Sequence, residues 1–196
     1  MFFKSKSTYD WLVVGLGNPG LQYENTRHNA GFLAADKLAE KQNFSINKNK
    51  FEALCGEFNL GDNRILVIKP QTFMNNSGKA VSKTAAFYKI PADKIIVMQD
   101  DISLDIGKLR IRRKGSDGGQ KGMRDIIELL GTDNIMRIKI GVGAKPHPDY
   151  DLAKWVLSKF PKEATEDLEK AIDKSVLAVK EIISRGVDSA MNKYNN

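Results

Sequence analysis

The sequence predicts an α/β fold in which one mixed, mostly parallel twisted sheet is flanked by helices. Short apolar runs of strand length alternate along the chain with segments whose apolar residues recur at helical spacing. A hairpin pattern in the first half adds an antiparallel portion to the sheet. The length of 196 residues fits one domain. We expect that domain to span residues 1–196, with a loose N-terminal extension at residues 1–9.

Three apolar runs predict buried strands, and two of them lead into helices. The first run, residues 11–16, precedes a helix predicted over Ala30–Lys41. The second run, residues 65–68, precedes a helix predicted from about Ser77 to Tyr88. The third run is residues 95–98. Such continuous apolar runs are typical of strands that are covered on both faces.

The remaining elements are predicted from weaker patterns. Further strands are expected at residues 51–60, 109–113 and 136–142. Residues 61–63 form the expected hairpin turn between the strand at 51–60 and the second apolar run. A long helix is expected from about Pro161 to Ser184, because proline suits the first turn and Gly186 follows the last apolar position.

Composition and charge narrow the classes of function. The 31 basic residues exceed the 24 acidic ones, and the formal charge of +7 favours an anionic partner. The chain has one cysteine, Cys55, and two histidines. A single cysteine excludes an intramolecular disulfide, and these three residues are too few to ligate a Cys/His zinc site. The apolar runs are too short for a membrane helix, and the first residues are too brief for a secretory signal. We therefore expect a cytoplasmic protein without metal, cofactor or membrane partner.

Polar residues follow each of the three buried strands. Asn18 follows the first strand, Asn75 the second and Asp100 the third, while His28 lies at the start of the first helix. Because the carboxyl ends of parallel strands meet at one edge of a sheet, we expect these four side chains to lie together. An imidazole that takes a proton from water, a carboxylate that orients it and amides that donate to an oxyanion are sufficient for hydrolysis.

Each of these residues also has a structural interpretation. His28 is as well suited to cap the first helix as to catalyse a reaction. Asn75 or Asn76 is suited to be the N-cap of the second helix, and Asp100 to end a strand in solvent. The convergence of three strand ends favours the hydrolytic site over these separate roles.

A glycine pattern in residues 15–20 suggests a second kind of site. The letters G-L-G-N-P-G match the dinucleotide-binding fingerprint G-x-G-x-x-G that follows a strand. The context differs, because Pro19 interrupts the motif and no apolar helical stripe begins before Ala30. Dinucleotide binding, with Asp36 or Glu40 on the ribose, is retained as an alternative.

The basic residues are concentrated in residues 108–124, which carry seven cations and one acid. Residues 108–112 alternate strictly between cations and apolar residues, so the cations share the face that points away from the core. Arg137 and Lys139 repeat this alternation on the last strand. Together with the glycine-rich segment 115–122, these cationic strand faces predict a phosphate-binding surface. Solvated strand faces are the alternative.

Several blocks of sequence occur in a distinctive order. They are G-L-G-N-P-G at 15–20 followed by Tyr23, T-R-H-N-A-G at 26–31, P-Q-T-F-M-N-N-S-G at 70–78, Asp100, and G-S-D-G-G-Q-K-G-M-R-D at 115–125. In order and spacing these blocks resemble the bacterial-type peptidyl-tRNA hydrolases. The resemblance covers nearly the whole chain, from about Trp11 to the C-terminal helices.

The resemblance implies a monomeric α/β enzyme that hydrolyses the ester between a peptide, or an N-blocked aminoacyl group, and the 3′-terminal ribose of tRNA. The released tRNA then returns to translation. By position, His28 is implied as the general base and Asp100 as the group that orients it, with Asn18 and Asn75 holding the peptide part. Residues implied to line the pocket for the terminal adenosine and peptide are Tyr23, Phe73 and Met74. Residues implied to bind acceptor-stem phosphates are Arg112 and Lys139. A non-catalytic RNA-binding relative is the alternative.

The chain departs from the family pattern at two places. Gln99 and Ser103 stand where the family commonly has histidine and aspartate around the strand-end aspartate. Gln120 and Lys121 replace the histidine and asparagine of the usual G-G-H-N-G block. We expect a helix from residues 118–119 to about Leu130, which puts Lys121 in its first turn. Since a cation there opposes the helix dipole, we hypothesise that Lys121 binds a phosphate near the tRNA 3′ end.

Overall fold

The computed structural model describes residues 8–195, which form one sheet with helices on both faces. The strands are β1 (Trp11–Gly15), β2 (Lys48–Lys50), β3 (Ala53–Leu60), β4 (Asn63–Pro70), β5 (Ile95–Asp101), β6 (Leu109–Arg112) and β7 (Met136–Gly141). The helices are α1 (Ala30–Lys41), α2 (Ser77–Tyr88), α3 (Lys121–Leu130), α4 (Leu152–Val156), α5 (Thr165–Arg185) and α6 (Val187–Tyr194). This architecture confirms the predicted α/β class.

The strand order β2-β3-β4-β1-β5-β7-β6 places four mutually parallel strands, β4, β1, β5 and β7, at the centre of the sheet. Strands β3 and β6 pair antiparallel to their neighbours, so the sheet is mixed, as predicted. The carboxyl ends of β4, β1 and β5 therefore meet at one edge of the sheet. That edge is where the sequence places its polar residues.

Two apolar layers cover the sheet and explain its continuous apolar runs. Val13 packs in the layer that contains Leu38 of α1 and Val176 of α5. Its neighbours in β1 face the opposite layer, which contains residues of α2 and α3 such as Val81 and Met123. Every residue of β1 is buried as a result. An alternating apolar pattern is absent from this strand because neither of its faces meets water.

The element boundaries differ from the predicted ones where backbone geometry intervenes. Strand β3 begins at Ala53 rather than residue 51, because Phe51 and Glu52 have φ of 55° and 59° and form the turn from β2. Strand β2 is fully exposed and carries no apolar alternation, so no sequence pattern indicated it. Helix α5 begins at Thr165, after a short 3-10 turn that follows Pro161.

Tyr9 is packed in the fold, although the sequence predicts a loose N-terminal extension at residues 1–9. Tyr9 is buried, its ring packs edge-on against Tyr88 with centroids 4.8 Å apart, and its hydroxyl donates to Glu57. Residue 9 therefore belongs to the folded part of the chain, while residues 1–7 lie outside the described residues. No helix within residues 8–195 is long and apolar enough to cross a membrane.

Candidate active site

A cleft of about 490 Å³ opens at the carboxyl edge of the parallel strands. Eight of the ten predicted site residues line it: Asn18, His28, Phe73, Met74, Asn75, Asp100, Lys121 and Lys139. The apolar wall of the cleft comes from Ile102 and from α4 and its end, chiefly Leu152, Val156 and Leu157. The structure thus brings together residues that are more than 100 positions apart in the chain.

His28 and Asp100 form a hydrogen-bonded pair in this cleft. Nδ1 of His28 lies 2.8 Å from Oδ2 of Asp100, and the two side chains are 12% and 3% exposed. His28 sits in a 3-10 turn, Arg27–Asn29, that leads into α1. The capping interpretation of His28 is wrong, because its ring bonds to Asp100 and the N-cap residue of α1 is Asn29. Asp100 is buried rather than left in solvent.

A glycine sets the approach of α1 to the two strand ends. A Cβ on Gly31 would lie 2.5 Å from the nitrogen and 2.6 Å from the oxygen of Leu16, and closer still to the carbonyl oxygen of Met98. Those distances are well inside van der Waals contact. The start of α1 can therefore rest against β1 and β5 only because residue 31 has no side chain. This close packing holds His28 over Asp100.

Asn18 is fixed by hydrogen bonds on both its backbone and its side chain. Its backbone N–H donates to Oδ1 of Asn29 at 2.8 Å, and its carbonyl accepts from Nδ2 of Asn29 at 3.0 Å. Its side-chain Oδ1 accepts from the N–H of Met74 at 2.7 Å. The amide nitrogen is therefore the polar end of Asn18 that is left for the cleft. Sequence reasoning missed Asn29, although it lies inside the T-R-H-N-A-G block.

The segment after β4 presents three predicted residues to the cleft. Phe73 has φ of 58°, an uncommon conformation for a residue with a side chain, and its ring is exposed. Tyr23 does not line the cleft but packs edge-on against Phe73, with ring centroids 6.3 Å apart. Asn75 is exposed, and the N-cap residue of α2, Asn76, makes no side-chain capping bond. Asn76 therefore stands at the predicted N-cap position of α2 without capping it through its side chain, and Asn75 does not occupy that position.

Lys139 lies in the cleft but carries a carboxylate partner. Its Nζ is 2.8 Å from Oδ2 of Asp101, and Oδ1 of Asp101 accepts from the backbone and hydroxyl of Ser103. Burial raises the pKa of Asp101, but the hydrogen bonds from Lys139 and Ser103 outweigh burial and hold that pKa below its ordinary value. Asp101 therefore stays ionised and neutralises part of the charge that the sequence assigned to phosphate binding.

Arg137 is not on a solvent-facing cationic ladder, which corrects the prediction for that residue. Its side chain is 1% exposed, and burial lowers the pKa of its guanidinium from the ordinary value. The guanidinium donates to the carbonyl oxygens of four residues: Gly115, Ser116, Asp133 and Ile135. Arg137 therefore ties down the glycine-rich loop instead of binding an external anion.

The other two predicted cations are exposed. Lys121 is the first residue of α3, as expected, and lines the cleft. Arg112 lies on the solvent face of the edge strand β6 and does not reach the cleft. Leu109 and Ile111 on the opposite face are buried, which confirms the predicted alternation of this strand.

Arg27 is a buried cation that sequence reasoning did not single out. Its guanidinium lies 3.7 Å from the centre of the Trp155 ring and donates to Val142, Ser158 and Lys159. Burial lowers the pKa of this guanidinium from its ordinary value. Since Arg27 precedes His28, it joins the turn that carries His28 to α4 and the apolar wall of the cleft.

Gly17, in the glycine pattern of residues 15–20, allows close packing of this segment against α1. A Cβ on Gly17 would lie 2.5 Å from the ring of Phe32 in α1. The segment that follows forms 3-10 turns, and α1 starts only at Ala30, so no helix N-terminus opens within the motif. Asp36, the residue suggested for the ribose, pairs with Lys69 at 2.7 Å. Among residues 8–195 no group of three or more metal-ligating side chains is close enough to hold a metal ion.

Comparison with known proteins gives a consistent set of similarities. Residues 12–196 match the family model described as peptidyl-tRNA hydrolase. The chain is 50% identical over 185 residues to the peptidyl-tRNA hydrolase of Clostridium botulinum (strain Eklund 17B / Type B), covering 94% of this chain and 95% of the relative. It is 48% identical over 185 residues to that of Lachnospira eligens, covering 94% and 99%. The crystal structure of peptidyl-tRNA hydrolase from Acinetobacter baumannii superposes with a TM-score of 0.89 at 34% identity, covering 97% of each chain.

Proposed function

Because this chain belongs to the peptidyl-tRNA hydrolase family and hydrolyses peptidyl-tRNA to release free tRNA, we propose that His28 and Asp100 carry out that reaction. The observation that supports these roles most directly is the 2.8 Å contact between His28 Nδ1 and Asp100 Oδ2 inside the cleft. A carboxylate only accepts hydrogen bonds, so Nδ1 carries the proton of the neutral ring. Nε2 is then left with a lone pair that can take a proton from water.

The proposed reaction uses water as the nucleophile. Nε2 of His28 removes a proton from water as the water oxygen bonds to the ester carbonyl carbon, and the carbonyl electrons move onto oxygen. Asp100 stabilises the imidazolium that forms. When the tetrahedral intermediate collapses, the bond to the ribose oxygen breaks and the imidazolium returns its proton to that oxygen. The products are free tRNA and a peptide acid.

Two amide side chains of the cleft are proposed to hold the acyl side of the substrate. Asn18 has its side-chain oxygen occupied by Met74, which leaves its N–H₂ group for a carbonyl or an oxyanion. Asn75 lines the same cleft and is proposed as a second contact to the peptide. Phe73 and Met74, with Tyr23 packed behind Phe73, are proposed to contact the terminal adenosine and the adjoining peptide residue.

The tRNA is proposed to approach from the cationic side of the cleft, where its 3′ end and acceptor stem meet Lys121, Lys139 and Arg112. The first two line the cleft and Arg112 extends the charge along β6. Contacts of this kind neutralise phosphates without reading bases, so we expect little discrimination among tRNA sequences. Lys139 already pairs with Asp101, so a phosphate bound by Lys139 would share the ammonium group with that carboxylate.

We also propose that the protein works as a monomer in the cytoplasm. The family resemblance implies a monomer, and the substrate class belongs to translation. Light scattering during size-exclusion chromatography tests the oligomeric state, and a dimer that persists at nanomolar concentration would contradict it. Fractionation of the source cells tests the location.

The variant His28→Asn tests the proposed roles. With N-acetyl-aminoacyl-tRNA as substrate, general-base catalysis contributes on the order of 10²–10⁴ in rate, so turnover should fall by that factor. Binding of tRNA and the far-ultraviolet circular dichroism should remain as in the wild type, since His28 lines the cleft. Near wild-type release of the acetylated amino acid would refute the assignment.

A further inference from the structure

The carboxylate that orients His28 is itself held from its other side. Oδ2 of Asp100 contacts His28, while Oδ1 accepts a hydrogen bond from Nε2 of Gln120 at 3.0 Å. Gln120 is 7% exposed and immediately precedes α3. We propose that Gln120 is a positioning residue that fixes the Asp100 carboxylate and, through it, the proton position on His28. This inference rests on the proposed roles of His28 and Asp100.

The orientation of the Gln120 amide is set by the helix that it begins. Its Oε1 accepts from the N–H of Met123 at 2.7 Å, which makes Gln120 the N-cap of α3. An N–H group requires an acceptor, so the amide oxygen must face the helix and the N–H₂ group must face Asp100. The same Nε2 lies 3.0 Å from the sulfur of Met74, a residue of the cleft. A helix start thus supplies a fixed donor to the hydrolytic pair.

This fixed donor makes the site sensitive to which group stands at position 100. An ionised carboxylate accepts from Gln120 on one oxygen and from the Nδ1 proton of His28 on the other. If Asp100 were replaced by asparagine, its oxygen could serve only one of the two donors. If that oxygen faces His28, the N–H₂ group of the new asparagine faces the N–H₂ group of Gln120, and neither group can accept from the other. Facing the oxygen toward Gln120 would direct an N–H at Nδ1, which favours the tautomer whose Nε2 is protonated and cannot act as a base.

The geometry predicts a rescue that a mere capping residue cannot give. In Gln120→Glu the new carboxylate still accepts from Met123 but opposes Asp100, so kcat/KM should fall by at least about 10-fold. The Asp100→Asn variant should lose more kcat/KM than Gln120→Glu. In the double variant the carboxylate at position 120 accepts from the new amide at position 100, whose oxygen then serves His28. We expect the kcat/KM of the double variant to be higher than that of Asp100→Asn by about 10-fold or more.

A second variant separates positioning from capping. Asparagine is a strong N-cap but one methylene shorter, so Gln120→Asn should keep the thermal unfolding midpoint while it loses the bond to Asp100. We expect its kcat to fall several-fold at unchanged KM. Gln120→Ala should lower both the midpoint and kcat. Gln42→Asn, at the half-buried C-cap residue of α1 away from the cleft, is the matched control, and neither quantity should change.

If His28→Asn loses activity as proposed, either of two results would overturn the proposal for Gln120. One is a double variant no more active than Asp100→Asn, and the other is wild-type kcat in Gln120→Asn. If His28→Asn instead keeps full activity, the roles proposed for His28 and Asp100 have failed, and the proposal for Gln120 fails with them. The His28→Asn measurement therefore tells the two failures apart.

Discussion

Replacing Gly31 with alanine tests whether the packing of α1 controls the contact between His28 and Asp100. The added Cβ would lie 2.5 Å from the backbone nitrogen of Leu16, where about 3.5 Å is comfortable. Its other close neighbours, the carbonyl oxygens of Leu16 and Met98, are also backbone atoms that cannot rotate away. The start of α1 must therefore move outward by about 1 Å. That displacement lengthens the contact between His28 and Asp100, which is 2.8 Å in the structure.

We expect Gly31→Ala to lose about 100-fold in kcat, the usual cost of a 1 Å misplacement, and to lose about 1–3 kcal/mol of unfolding free energy from overpacking. The assay is single-turnover hydrolysis of N-acetyl-aminoacyl-tRNA well below the unfolding midpoint, with stability measured by urea denaturation. Gly56→Ala is the matched control, since its Cβ would crowd the Ser45 carbonyl but residue 56 lines neither described cavity. Wild-type kcat in Gly31→Ala, or an equal loss in Gly56→Ala, would refute the reasoning.

Three further predictions concern the cations. Lys121→Asn should raise KM more than it lowers kcat and should not destabilise the fold, because a cation in the first turn opposes the helix dipole; a collapse of kcat at constant KM would refute the phosphate role. Arg112→Ala and Lys139→Ala should each flatten the log–log salt dependence of tRNA binding by roughly 0.7–0.9; an unchanged slope would contradict a phosphate contact at that residue. Arg137→Met should cost at least about 2 kcal/mol of unfolding free energy, since it leaves buried carbonyls without donors. Urea denaturation measures this loss, with the exposed Arg110→Met as the control. An Arg137→Met variant as stable as Arg110→Met would contradict the anchoring role.

The parts of the fold that could be predicted are those in which one local pattern is decisive. Helices α1 and α2 fall on the predicted boundaries because apolar spacing and flanking polar residues agree there. His28 and Asp100 could be brought together from sequence because parallel strands deliver their carboxyl ends to one edge.

The parts that could not be predicted depend on tertiary contacts. The alternation at Arg137 and Lys139 is the same, yet the first is buried under a loop whose carbonyls it binds and the second pairs with Asp101. A strand pattern of alternating basic residues does not indicate which of these two environments a given basic side chain occupies. Gln120 is a parallel case, because a glutamine in a glycine-rich loop carries no local sign that it faces a carboxylate from another strand.

The pH dependence of kcat/KM in Asp100→Asn tests the central claim, that His28 works as a base held by Asp100, most directly. A neighbouring carboxylate stabilises the imidazolium, so its removal should move the acid limb to lower pH while the rate falls. Asp101→Asn is the control, because Asp101 faces Lys139 rather than His28. An acid limb that stays in place in Asp100→Asn, or that moves only in Asp101→Asn, would contradict the account.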